Sequence, residues 1–253
     1  MLNFVYLQSK NADNKVFAVV RTPESAAQLH SLASTRSNVF TVKGDFDSVD
    51  SLKASMLAVT NAFVVGKLDV LIPNGALMIS QHFGVTLDNP DPQSLEEELV
   101  AGVRPLSARR VVDHPTKQIL AISSALADID FVREIELGMD IAYAASKAAL
   151  NMVATQFAVV LKPEGFTVLS ISPGYVNTFT EDPSTCRFAL FDGRRGADSV
   201  RQVAATFKRV APDFDENPRT PADAVSMVLD VLNRSGPEQS GSFVSQYGNK
   251  EWI

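Results

Sequence analysis

Short apolar runs rich in β-branched residues recur along the chain at 15–21 (KVFAVVR), 38–43 (NVFTVK), 68–73 (LDVLIP), 117–123 (KQILAIS), 166–172 (FTVLSIS) and 241–245 (GSFVS). Most are continuous rather than alternating, as strands covered on both faces are. Between them lie helical windows at about 23–35, 48–66, 94–113, 141–162, 198–209 and 221–234. Several carry helix-start signals: Thr22-Pro23 followed by Glu24, and Thr220-Pro221 before Ala222. This alternation predicts an α/β fold, a doubly wound parallel sheet of Rossmann-like type with helices on both faces. The 253 residues fit a single domain, 1–253. No repeat or low-complexity tract is visible, and 177–201 is the longest stretch without clear periodicity.

Composition then narrows the partner classes. A net charge of -6 leaves no basic footprint for nucleic acid, so a small-molecule partner is expected. Cys186 is the only cysteine; it can form no intrachain disulfide, and a reducing, cytoplasmic compartment is the expectation. The start MLNFVYLQSK has no basic segment leading into a long apolar one, and no apolar run approaches about 18 residues, so no membrane partner is expected. His30, His82 and His114 are scattered without partners at metal-ligand spacing, so no metal is expected.

In doubly wound sheets the ligand sits beyond the carboxyl ends of the strands. The residues that follow each strand are Arg21-Thr22, Gly44-Asp45, Asn74-Gly75-Ala76, Ser123-Ser124 and Pro173-Gly174-Tyr175-Val176-Asn177-Thr178. After the fourth strand the helical run DIAYAASKAALN places Tyr143 and Lys147 four residues apart, hence on one helix face. An isolated tyrosine has a pKa near 10, and a cation within about 4–6 Å favours its phenolate. Such a pair suits proton transfer to or from an alkoxide. Taken alone, each feature also has a plain structural use: a surface pair, a helix cap, a turn.

Taken together, ISS (122–124), YAASK (143–147) and SPGYVNT (172–178), in that order, resemble the short-chain dehydrogenase/reductase family along essentially the whole chain. The resemblance implies hydride transfer between a nicotinamide cofactor and a ketone, aldehyde or alcohol. It assigns catalysis to Ser124, Tyr143 and Lys147, with Ser123 as the alternative serine. Ser124 would hydrogen-bond the substrate oxygen, Tyr143 would exchange its proton, and Lys147 would assist Tyr143 and hold the nicotinamide ribose. The turn at Gly174, with Val176 and Thr178, would contact the carboxamide and phosphates. Arg21, where an acid would favour NAD, implies NADP(H), because guanidinium suits a 2′-phosphate. Asp45 would lie beside the adenine, and Asn74 belongs to the same cofactor-binding set.

The chain also departs from the family pattern. The family's first strand and its glycine-rich T-G-x-x-x-G-x-G turn, a pyrophosphate cradle, have no counterpart; LNFVYLQSKN resembles the end of the helix that follows that turn. In the family's strand order, 3-2-1-4-5-6-7, the missing strand is central, so strands 15–21 and 68–73 would face each other with unpaired edges. Three outcomes stay open: an N-terminal truncation, direct pairing of the two strands, or another segment in the gap. The family's N-N-A-G reads Pro73-Asn74-Gly75-Ala76, and Ala101 stands where a proton-relay asparagine is usual, with Ser107 as a partial substitute. Two alternatives to the reductase therefore stand: a redox-inactive ligand-binding or partner subunit of the same fold, and a non-redox isomerase or cyclase using the same pocket.

Three further features complete the reading. The acidic stretch 127–140 reads as a solvated loop or short helix. Phe179, Phe188 and Phe191 follow the Pro-Gly turn in the segment that covers the substrate in the family, which favours an apolar or aromatic substrate. Helices 94–113 and 141–162 pair subunits in many members, so a homodimer or homotetramer is expected; Leu150, Val153, Phe157 and Val160 form an apolar stripe for core or interface.

Overall fold

All six apolar runs contain strands in the computed structural model, which describes residues 2–45, 48–62, 68–75, 117–138, 140–177 and 204–253. Helix α1 (Leu2–Gln8) leads into β1 (Val16–Val20), α2 (Ala27–Thr35), β2 (Val39–Lys43), α3 (Val49–Ala62) and β3 (Val70–Leu71). Then come β4 (Gln118–Ile122), α4 (Ile129–Ile135), α5 (Ile141–Leu161) and β5 (Thr167–Ser172). The chain closes with α6 (204–210), α7 (Pro221–Arg234) and β6 (Phe243–Ser245). The predicted helix 94–113, with Ala101 and Ser107, lies outside the described residues, as do Thr178, Phe179, Cys186, Phe188, Phe191, His82 and His114.

Among the described residues every strand pairing is parallel, and the pairings form two sheets. One holds β1 and β2, in register from Val16↔Val39 to Val20↔Lys43; the other runs β3-β4-β5-β6. Among the described residues no pairing joins β1 to β3, so direct pairing, one of the three outcomes left open above, is not adopted.

Short α1 joins the sheets by burying two faces. Phe4 and Leu7, one turn apart, pack into the cluster that Leu120, Leu169 and Ile171 build with Val228 and Leu232 of α7. Val5 and Leu2 pack instead with Ala18 of β1, Leu29 of α2 and Val39 of β2. Side-chain hydrogen bonds fix the exit of α1. Arg36 donates to the Tyr6 carbonyl (2.6 Å) and to Ser9 Oγ (2.7 Å), with its guanidinium 4.5 Å from the Tyr6 ring centroid. The Asn38 amide reaches the carbonyls of Ser9, Asn11 and Asn14 at 3.2, 3.0 and 2.9 Å.

On the opposite face of the four-stranded sheet, α5 lays Leu150, Ala154, Ala158 and Leu161 over Ile119, Ala121 and Val168. The alanines let the helix approach closely, and this packing accounts for a helix that by length and composition alone could cross a membrane. The predicted stripe divides between the core and the surface. Val153 and Phe157 pack against this cluster, but Val160 is 58% exposed, and Leu161, the residue after it, faces the core.

Other boundaries shift for local reasons. The window 23–35 splits into a 3-10 turn at Pro23–Ser25 and α2, because the proline starts a turn that Ala26, at φ -86° and ψ 54°, does not continue as helix. Thr220 caps α7 as predicted, accepting from the Asp223 N–H at 3.2 Å. The acidic stretch forms helix α4, capped by Asp128 and burying Phe131 and Ile135 against Phe207 and Trp252. Asn38→Ala is expected to lower the unfolding free energy by about 1–2 kcal/mol, since three carbonyls lose one donor group. Chemical denaturation measures this, and an unchanged midpoint would contradict it.

Candidate active site

The four-stranded sheet aligns its carboxyl ends. Ile122 pairs with Ile171, and Ser172 with Ser245, so Ser123-Ser124, Pro173-Gly174 and Gln246 leave neighbouring strands at one level. The Ser123 N–H donates to the Ile171 carbonyl at 2.8 Å. Ser172, fully buried, accepts from the Ala125 N–H at 3.0 Å, tying the turn after β4 to the end of β5.

The two serines have different environments. Ser124 is half-buried; its Oγ caps the 3-10 turn Ala125–Ala127, accepting from the Leu126 N–H at 3.3 Å, and its hydroxyl hydrogen can donate elsewhere. Ser123 is 2% exposed, and its Oγ has no hydrogen-bond partner. Of the two serines, Ser124 is the more accessible.

Helix α5 carries Tyr143 in its first turn and Lys147 in its second, in an alanine-rich stretch that strongly favours helix. Lys147 is 3% exposed and donates from Nζ to the Ile122 carbonyl at 2.8 Å; the same Nζ lies 5.7 Å from the Tyr143 ring centroid. One of three ammonium hydrogens is thus used on the last residue of β4, beside the serines. Burial pushes the Lys147 pKa down to about 8, because the ammonium loses its hydration. At neutral pH it still carries its charge.

The first sheet supplies a second group of predicted residues. Arg21 follows β1 and is exposed; Gly44 and half-buried Asp45 follow β2, with the Gly44 N–H on the Val20 carbonyl at 3.0 Å. A Cβ on Gly44 would lie 2.5 Å from Val19 Cγ1, so only glycine fits there. Half-buried Asn74 follows β3. Val176 forms a parallel bridge with Arg219, anchoring the segment after the Pro-Gly turn.

Gln246, just beyond β6, is a residue that the sequence reading did not single out. It is 2% exposed, and neither its Oε1 nor its Nε2 has a hydrogen-bond partner. Its amide lies against Gly174, where a Cβ would come within 2.8 Å of Gln246 Cδ and Oε1. Extending the survey of strand ends to β6 would have found it.

Residues 7–186 match the family described as short chain dehydrogenase. The short-chain dehydrogenase/reductase AacuF of Aspergillus aculeatus is 31% identical, over all of this chain and 96% of that one. The chain belongs to the short-chain dehydrogenase/reductase family. Among solved structures, NADPH-bound carbonyl reductase from chicken fatty liver superposes with a TM-score of 0.75 at 22% identity, covering 98% of this chain and 92% of that one. Carbonyl reductase Sniffer of D. melanogaster follows at 0.72 and 19%, with the same coverage. The chain is an oxidoreductase of the short-chain dehydrogenase/reductase type, in a family that uses a nicotinamide cofactor on small molecules.

The residues present fit such a cofactor at its nicotinamide end. Lys147 uses one ammonium hydrogen on the Ile122 carbonyl and keeps others for ribose hydroxyls, and Gly174 holds the turn in a left-handed conformation, φ +81°, directly over the buried Gln246 amide.

Burial of Lys147 gives a stability signature. In the folded protein the charged form is disfavoured and the pKa is about 8, against an ordinary 10.5 in the unfolded chain. Below pH 8 the folded state bears the full cost. Between pH 8 and 10.5 the unfolded chain binds more protons, so stability climbs with pH, by about 3 kcal/mol (roughly 2.5 units at 1.36 kcal/mol each). Denaturant titrations of the cofactor-free protein across this window are expected to show the rise in wild type and its loss in Lys147→Met; parallel curves would contradict it.

Proposed function

We propose that the chain is an NADP(H)-dependent reductase that interconverts a ketone or aldehyde and its alcohol through Ser124, Tyr143 and Lys147. The observation that carries the reading is the buried Lys147 ammonium, held on the Ile122 carbonyl beside the Tyr143 ring at the level of Ser124. A half-buried serine, a phenol and a desolvated cation at one strand end form a set suited to charge developing on a carbonyl oxygen.

Each side chain has one task. When bound, the nicotinamide cofactor supplies or accepts hydride. Ser124 donates its hydroxyl hydrogen to the substrate oxygen and fixes it. Tyr143 gives its phenolic proton to that oxygen as alkoxide character grows. Lys147 stabilises the phenolate left behind, and does so strongly because its charge is screened little by water. In the oxidative direction the same proton returns to Tyr143.

Arg21 supports NADP(H) over NAD(H), since a guanidinium at the end of β1 suits a phosphate dianion. Asp45, Asn74, Gly174, Val176 and Thr178 complete the cofactor set, with Thr178 outside the described residues. The small-molecule substrate is a carbonyl compound or alcohol, apolar or aromatic in character. A cytoplasmic, self-associating protein completes the reading, supported by a single cysteine and by exposed Met152, Val159 and Val160 on α5.

NADPH fluorescence titration and a carbonyl substrate panel test the reading. Wild type is expected to bind NADPH more tightly than NADH and to oxidise it with at least one substrate. Tyr143→Phe is expected to lower turnover about 10²–10⁴-fold while NADPH affinity stays within a few fold. Absence of NADPH binding, or full turnover in Tyr143→Phe, would overturn it.

A further inference from the structure

We propose that Gln246 is a positioning residue for the cofactor, acting through the Pro173-Gly174 turn; this rests on the nicotinamide reading above. The first observation is an orphaned amide. Gln246 is 2% exposed, and both polar atoms of its side chain lack partners. Buried polar groups are nearly always satisfied, because water no longer does so.

The second observation is where that amide lies. Gly174 has φ +81°, a left-handed conformation natural to glycine, and a Cβ there would fall 2.8 Å from Gln246 Cδ and Oε1 and 2.9 Å from Nε2. The amide plane is therefore pressed against the turn. The Gly174 N–H itself is held weakly, by Ser172 Oγ at 3.5 Å. Beyond it, Val176 is bridged to Arg219, so the turn lies between two fixed points, Ser172 and Val176. A short turn, loosely held at the Gly174 N–H and anchored from the Tyr175 carbonyl onward by the Arg219 N–H at 3.0 Å, thus abuts an amide with an unused donor and acceptor.

A ligand shifts a local equilibrium only by the free energy that differs between the two states. Here the difference is the satisfaction of Gln246. When the turn adjusts over the nicotinamide end of the cofactor, its peptide groups become partners of Nε2 and Oε1, and the cost carried by the free protein is recovered as affinity. The glutamine stays buried throughout and acts through the turn, not by touching substrate.

Gln246→Met keeps the volume and removes both polar atoms, so it separates this role from simple packing. The cofactor-free variant is expected to melt at the wild-type temperature or above it, while its Kd for NADPH rises about tenfold. A Kd within threefold of wild type overturns the proposal. So does a melting temperature several degrees lower, which would mean that a buried water already satisfies the amide. In the unaltered chain, hydrogen exchange at the Gly174 and Tyr175 amides is expected to slow on adding NADPH. Unchanged exchange overturns the proposal even where the variant fails to fold. Wild type that binds no NADPH overturns the reductase reading and this inference with it, whereas wild-type binding retained by Gln246→Met overturns this inference alone.

Discussion

The bond from Lys147 Nζ to the Ile122 carbonyl is the contact on which the candidate site depends. It fixes the second turn of α5 on the last residue of β4, and so sets where Tyr143, one turn earlier, stands relative to Ser124, two residues beyond Ile122. An ammonium is costly to bury. Below it, the alanine-rich face of α5 rests on Ile119, Ala121 and Val168, so the hydrophobic packing of the helix holds the charge in place. Burial and chemistry are coupled here: the packing that stabilises the sheet also depresses the lysine pKa.

The two sheets divide the labour. The four-stranded sheet carries Ser124 and the Pro-Gly turn at its carboxyl end, with Tyr143 and Lys147 on the helix packed against it, and its core is continuous from β3 to β6. The two-stranded sheet carries Arg21, Gly44 and Asp45, and is joined to the other through α1. Seven residues with two apolar faces thereby position one candidate end of a dinucleotide site relative to the other. Arg36 and Asn38, which fasten the exit of α1, contribute to that alignment although neither lies at a strand's carboxyl end.

Much of this was legible in the sequence because strands buried on both faces leave continuous apolar runs, and YAASK places two functional groups on one helix face. The missing central strand was also legible, although it points to one sheet with two facing edges and does not settle that the strands form two separate sheets. What was hidden depends on tertiary context. That Ser123 is buried and Ser124 accessible is a matter of strand register; the dipeptide reads the same either way. The amphipathic character of α4 was masked by its acidic residues, although Phe131 and Ile135 are spaced to share a face. Val160 and Leu161 are both apolar, and only packing decides which one faces the sheet. Gln246 could be named from the sequence as the residue after the last strand, but that its amide is buried against Gly174 depends on the fold.

Hydride transfer to a carbonyl carbon is the chemistry proposed for this set of residues. Reduction of a carbonyl substrate with NADPH deuterated at the transferring position of the nicotinamide tests it most directly, with the alcohol analysed by mass spectrometry. One deuterium is expected on the carbinol carbon of the product. NADPH bound in the site, with no deuterium delivered to any member of a broad carbonyl panel, would contradict it.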